Sequence, residues 1–137
     1  MAHLPYYIYR MIDHIYISDQ RGYSWKDKFD VLISTTNITH SNVLQFNQSD
    51  KTLIVTSDIG SQDQTNAIIQ TIKHATDGSK RILLYSDDYT ASCKIFVLYL
   101  QKTYHFSNED ITRMIANSVF SPIIKKIIIS LVYPVTF

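Results

Sequence analysis

The chain has 137 residues, thirteen of them Lys or Arg and twelve Asp or Glu, for a formal net charge of +1. That length suits one domain with its own core, and the balanced charge excludes the basic surface of a nucleic-acid or anionic-membrane binder. The one cysteine, Cys93, excludes an internal disulfide and fits a reducing, cytoplasmic setting.

Residues Met1–Arg10 lack the basic start and long apolar run of a signal peptide. They gather Leu4, Pro5, Tyr6, Tyr7, Ile8 and Tyr9 into an aromatic extension. It is expected either to pack on its own domain or to offer Tyr6, Tyr7 and Tyr9 to a protein partner, a second copy of the chain included. His14–Ser18 alternates polar and apolar residues, as a half-buried edge strand does. Val31–Thr35 and Leu53–Thr56 are short β-branched runs that suit strands covered on both faces, and Val43–Phe46 is a further candidate strand.

A helix is expected over about Gln64–Thr76, with Ala67, Ile68, Ile69, Ile72 and Ala75 on one face and Gly78 near its C′ position. The apolar run Arg81–Tyr85 then reads as a strand. Strand, helix and strand make a βαβ unit, so Leu53–Thr56 and Arg81–Tyr85 are expected as parallel neighbours.

After a polar turn, a helix over about Ala91–Lys102 is apolar nearly all round and therefore buried. Ser107, with Glu109 and Asp110 in the first turn, opens a helix to about Ala116. Ser121-Pro122 opens a last one, about Ile123–Leu131. The apolar stretch Ile123–Phe137 is broken by Lys125-Lys126 and Pro134 and is too short to span a bilayer. The reading is a single α/β domain over 1–137, with a central, mostly parallel twisted sheet of about four to five strands flanked by helices. Ten tyrosines and three glycines, with abundant Ile, Asn and Lys, also suit an AT-rich genome such as that of some large DNA viruses or protists.

The order of these pieces resembles the dual-specificity phosphatase family over roughly Met11–Leu131. Ile12-Asp13-His14-Ile15-Tyr16-Ile17-Ser18 is similar to its opening strand, I-x-x-x-L-Y-L-G-S, and Phe29-Asp30-Val31-Leu32-Ile33-Ser34 to its I-T-H-V-L-N strand. Leu53-Ile54-Val55-Thr56-Ser57-Asp58 resembles the strand that leads to the general-acid aspartate, at the place of Asp58. Tyr85-Ser86, with Val97-Leu98-Tyr99-Leu100 further on, resembles H-C-x5-R-S followed by A-Y-L-M. Asn108–Ala116 and Phe120-Ser121-Pro122 resemble the closing helices and the P-N-x-x-F junction.

In that family a cysteine thiolate attacks phosphorus, an arginine clamps the phosphoryl oxygens, and an aspartate protonates the leaving group. Here Ser86 stands at the cysteine's place. The arginine's place is Ser92, or Ala91 on an alignment one residue shorter, and Lys94 nearby is a point charge rather than a planar fork. The loop glycine is replaced by Tyr89 or lost. Asp87 and Asp88 set negative charge in the turn, where each like pair at about 4 Å costs roughly 4 kcal/mol at an effective dielectric near 20. Either one of these carboxylates folds back onto the free N–H groups in place of a ligand, or both are ordinary solvated turn residues.

The resemblance therefore implies a pseudophosphatase with a degenerate loop over Tyr85–Cys93, no catalytic residues, and a role as a protein-binding, scaffold or regulatory module. Its rivals are a phosphatase using Ser86 or Cys93 with Asp58, and a reader that retains phosphoresidues. Cys93 itself suits a small core residue. No cofactor or metal is implied: His3, His14, His40, His74 and His105 have no metal-ligand spacing. The sequons at Asn37 and Asn47 read as chance.

Overall fold

The structure, a computed structural model, describes residues 3–36, 51–55 and 62–134. Among these residues lie the strands β1 (Ile8–Arg10), β2 (Ile15–Ser18), β3 (Val31–Ser34), β4 (Thr52–Val55) and β5 (Ile82–Tyr85). The helices are α1 (Gln62–Asp77), α2 (Thr90–Tyr104), α3 (Asn108–Ala116) and α4 (Pro122–Val132), with a 3-10 helix over Gln20–Lys28. The sheet order is β1-β2-β5-β3-β4, antiparallel at β1 and parallel elsewhere.

Strand alternation assigns the two faces. Ile15, Ile17, Val31, Ile33, Ile82 and Leu84 join the core formed with the α-helices. Tyr16, Leu32, Leu83 and Tyr85 point the other way, into a smaller core with Phe29, Tyr23 and Trp25. The apolar character of α2 is explained by its place: Cys93, Ile95, Phe96, Val97, Tyr99 and Leu100 are all buried. Ser107 and Asp110 form a reciprocal capping box on α3, and Ser121 caps α4 with Pro122 in its first turn.

Three expectations change. β2 is interior, with all four residues buried, because Ile8–Arg10 pairs outside it; the aromatic extension is itself the edge strand. β4 and β5 are parallel but not neighbours, since β3 lies between them. β3 has four buried residues, whereas β4 exposes Thr52 and leaves Ile54 and Val55 half-buried. β3 and β4 each combine Val, Leu and Ile with one hydroxyl residue, so composition does not set their order, and a 16-residue α1, about 24 Å long, readily carries the chain across β3.

The third change is at the end of α1. No glycine among the described residues has positive φ, and Ser79 takes it at 58°. Ser79 N–H donates to the Thr76 carbonyl at 3.0 Å and Lys80 N–H to that of Ala75 at 2.9 Å. That is a Schellman motif with Ser79 at C′ and Gly78 one place earlier.

The 3-10 helix was not foreseen. Asp19 caps it by accepting from Arg21 N–H, and a Cβ on Gly22 would lie 1.9 Å from Ser18 Oγ. Only glycine fits that approach. The candidate strand Val43–Phe46, His40, Asp58 and both sequons lie outside the described residues. No helix among the described residues is long and apolar enough to cross a membrane.

Candidate functional site

β2, β3 and β5 run parallel and end together, with Ser18 and Ser34 both paired to Tyr85. Carboxyl ends of parallel strands are where open α/β sheets hold ligands. From this edge the chain turns through Ser86, Asp87, Asp88 and Tyr89 into α2.

Ser86 and Ser92, the expected places of nucleophile and arginine, meet inside the protein at 1% and 0% exposure. Ser92 Oγ lies 2.8 Å from Ser86 Oγ and 3.0 Å from the Leu84 carbonyl oxygen, and Ser92 N–H donates to Ser86 Oγ at 3.3 Å. A hydroxyl has one proton and a carbonyl only accepts. The assignment that satisfies every group has Ser86 donating to Ser92 and Ser92 donating to Leu84. Ser86 Oγ then accepts from the Ser92 N–H.

The two acids separate. Asp88 folds back, its Oδ1 accepting at 3.2 Å from the Thr90 N–H at the first position of α2. Asp87 turns outward and accepts from the Thr36 hydroxyl at 3.0 Å. That threonine in turn is tied to Ser34, whose hydroxyl donates to the Thr36 carbonyl at 2.7 Å.

The backbone of Tyr89 is left-handed, with φ 69° and ψ −27°. Its carbonyl accepts from Cys93 N–H at 2.8 Å, while Thr90 N–H closes onto the Asp88 carbonyl at 2.7 Å. For a residue with a Cβ this conformation costs about 1–2 kcal/mol. The tyrosine is held from outside the turn: its hydroxyl donates to the Tyr7 carbonyl at 2.9 Å and its ring lies 5.4 Å from that of Tyr9. Burial, followed by the charge of Asp19, pushes its phenol up to about 12.

Tyr7 also accepts from Trp25 Nε1 at 2.8 Å and lies under the Arg21 guanidinium, 4.4 Å away. Arg21 donates to both Asp19 oxygens and to the Tyr6 hydroxyl. Two of the three tyrosines considered for a contact surface, Tyr7 and Tyr9, are thus used within the domain, and Tyr6 is 78% exposed. The signal for this lock in the sequence is slight, a tyrosine in the turn with Ile8-Tyr9-Arg10 available as a strand.

Cys93 is fully buried in the core. Burial, and then the negative charge of Asp88, pushes its thiol up to about 12, so thiolate is scarce at neutral pH. Lys94 is exposed on α2. Among the described residues no group of three or more His, Cys, Asp or Glu could hold a metal ion.

No protein-family model matches the sequence, and no curated protein resembles it significantly. The fold does match a solved structure, the crystal structure of human DUSP28. The TM-score is 0.57 at 11% sequence identity, covering 100% of this chain and 88% of that one. The chain therefore has a dual-specificity-phosphatase-like fold.

Proposed function

We propose that this protein is a catalytically inactive relative of the dual-specificity phosphatases that acts as a protein-binding or scaffold module. The observation that carries the reading is the buried Ser86–Ser92 pair. Where the reaction needs a thiolate and a planar cation, two neutral hydroxyls satisfy one another and the N–H of Ser92. A serine oxygen engaged in this way has no base to take its proton, and a serine without one is a poor nucleophile.

Asp88 supports the same reading, because it occupies a helix N-terminal N–H that an oxyanion would otherwise use. Its charge, with that of Asp87, repels a phosphate dianion. This also weighs against a phosphoresidue reader. A displaced nucleophile at Cys93 would need a buried thiol to ionise. The surface left for a partner on this side of the domain is the exposed Tyr6 with the outward carboxylate of Asp87.

The test is hydrolysis of a small aryl phosphate by the purified protein and by Ser86→Ala. We expect turnover at the buffer rate for both. Turnover by the unmodified protein that Ser86→Ala abolishes would establish an enzyme and end this proposal.

A further inference from the structure

The N-terminal strand and the turn before α2 are joined by contacts between residues about 80 positions apart, Tyr7 and Tyr89 being 82 apart. We propose that β1 works as a strap that holds Tyr89 in its left-handed conformation, so that the state of the turn is set by the N-terminal segment. This stands independently of whether the turn ever performed catalysis on this chain.

The argument starts from the backbone. A tyrosine at φ 69° persists only where its surroundings over-determine it. Two contacts here do so, the hydroxyl on the Tyr7 carbonyl and the ring against Tyr9. Both partners come from the first strand and the residue before it. The Trp25 bond to Tyr7 and the Arg21 guanidinium over its ring fix that residue in turn. On the other side, the Tyr89 carbonyl accepts from Cys93 N–H, which orients the first turn of α2 and so the Ser92 N–H that reaches Ser86.

Strain at residue 89 is thus balanced by contacts to a segment near the chain's start. β1 has three residues and one paired edge, which places it among the elements that open at low cost. A partner that took hold of Leu4–Arg10 through the exposed Tyr6 would release the turn without touching it. The N–H groups of Thr90 and Ser92 would be freed together.

The experiment is amide hydrogen exchange on the full chain, read at Ser92 and Cys93, with Ile111 and Ile115 of α3 as internal reference. Tyr9→Ala removes the ring contact and is expected to accelerate exchange at Ser92 and Cys93 by roughly tenfold, with the α3 amides unchanged. In a Tyr89→Gly background, where the left-handed backbone carries no Cβ penalty, the same substitution is expected to change those rates less than about twofold. Unchanged rates on Tyr9→Ala would overturn the proposal, as would equal acceleration in both backgrounds or acceleration that includes α3. Should Tyr9→Ala fail to fold, Tyr89→Phe removes only the hydroxyl bond to Tyr7. It must then accelerate Ser92 and Cys93 selectively, and unchanged or uniform exchange overturns the strap.

Discussion

Removing the two hydroxyls of the buried serine pair, singly and together, should give strongly non-additive losses of stability. In Ser92→Ala the Ser86 hydroxyl loses its acceptor and the Leu84 carbonyl loses a donor, both at a site with essentially no solvent exposure. An orphaned buried donor costs about 1–3 kcal/mol. In Ser86→Ala the Ser92 N–H loses the oxygen it reaches at 3.3 Å, while the Ser92 hydroxyl keeps the Leu84 carbonyl; the cost is again about 1–3 kcal/mol. The double variant removes the Ser86 hydroxyl that Ser92→Ala alone orphans, leaving the N–H of residue 92 as the main loss. Its cost should therefore exceed that of Ser86→Ala by less than about 1 kcal/mol, giving a coupling of about 1–2 kcal/mol. Urea denaturation at neutral pH, with a common slope for the four proteins, measures the cycle. Additive losses would refute the shared hydrogen-bond chain.

Other outcomes follow from the same structure. Ser18 Oγ is fully buried with no hydrogen-bond partner among the described residues, so Ser18→Ala should be neutral or stabilise by up to about 1 kcal/mol in the same denaturation assay. Gly22→Ala, whose Cβ would fall 1.9 Å from that oxygen, should cost about 1–3 kcal/mol, and Ser18→Ala should recover part of the loss. The Cys93 thiol is raised from an ordinary value of 9 to about 12, so its contribution is complete below about pH 9 and is lost as pH rises towards 12. From about pH 9 to about pH 11 the unmodified protein should therefore lose about 2–3 kcal/mol more stability than Cys93→Ala. Asp13 accepts from the hydroxyls of Tyr99 and Tyr104, and Tyr99 is 1% exposed. Asp13→Ala should thus lower stability by about 1.5–3 kcal/mol in urea, whereas Asp13→Asn, which keeps an acceptor and tolerates φ 55°, should lose less than half of that.

The helices and the interior strands were legible in the sequence because their residues repeat with the period of the structure they form. α3 and α4 could be placed from Ser107, Asp110 and Ser121-Pro122, whose side chains act on the backbone next to them. Neighbour order in the sheet was not legible in this way. Leu53–Val55 reads as apolar as Arg81–Tyr85, and only the competition between strands for the interior sends β4 outward and β3 between them. β1 was hidden by its brevity and by tyrosines that read equally well as a surface. At the turn, Ser86, Ser92 and the two acids were found by spacing, and so was the missing cation. What spacing could not give was the division of labour between Asp87 and Asp88, or that a residue 82 positions away in sequence supports Tyr89. Those depend on contacts that only the folded chain creates.

The central claim is that the turn between β5 and α2 is filled by its own side chains and has no place for phosphate. Titration of the isotopically labelled protein with inorganic phosphate, followed by the amide resonances of Ser86–Cys93, tests it most directly. The account predicts no saturable movement at these positions up to millimolar phosphate. A saturable shift centred on Thr90, Ala91 and Ser92, lost when α2 is left intact but Ser92 is changed to Asp, would contradict it.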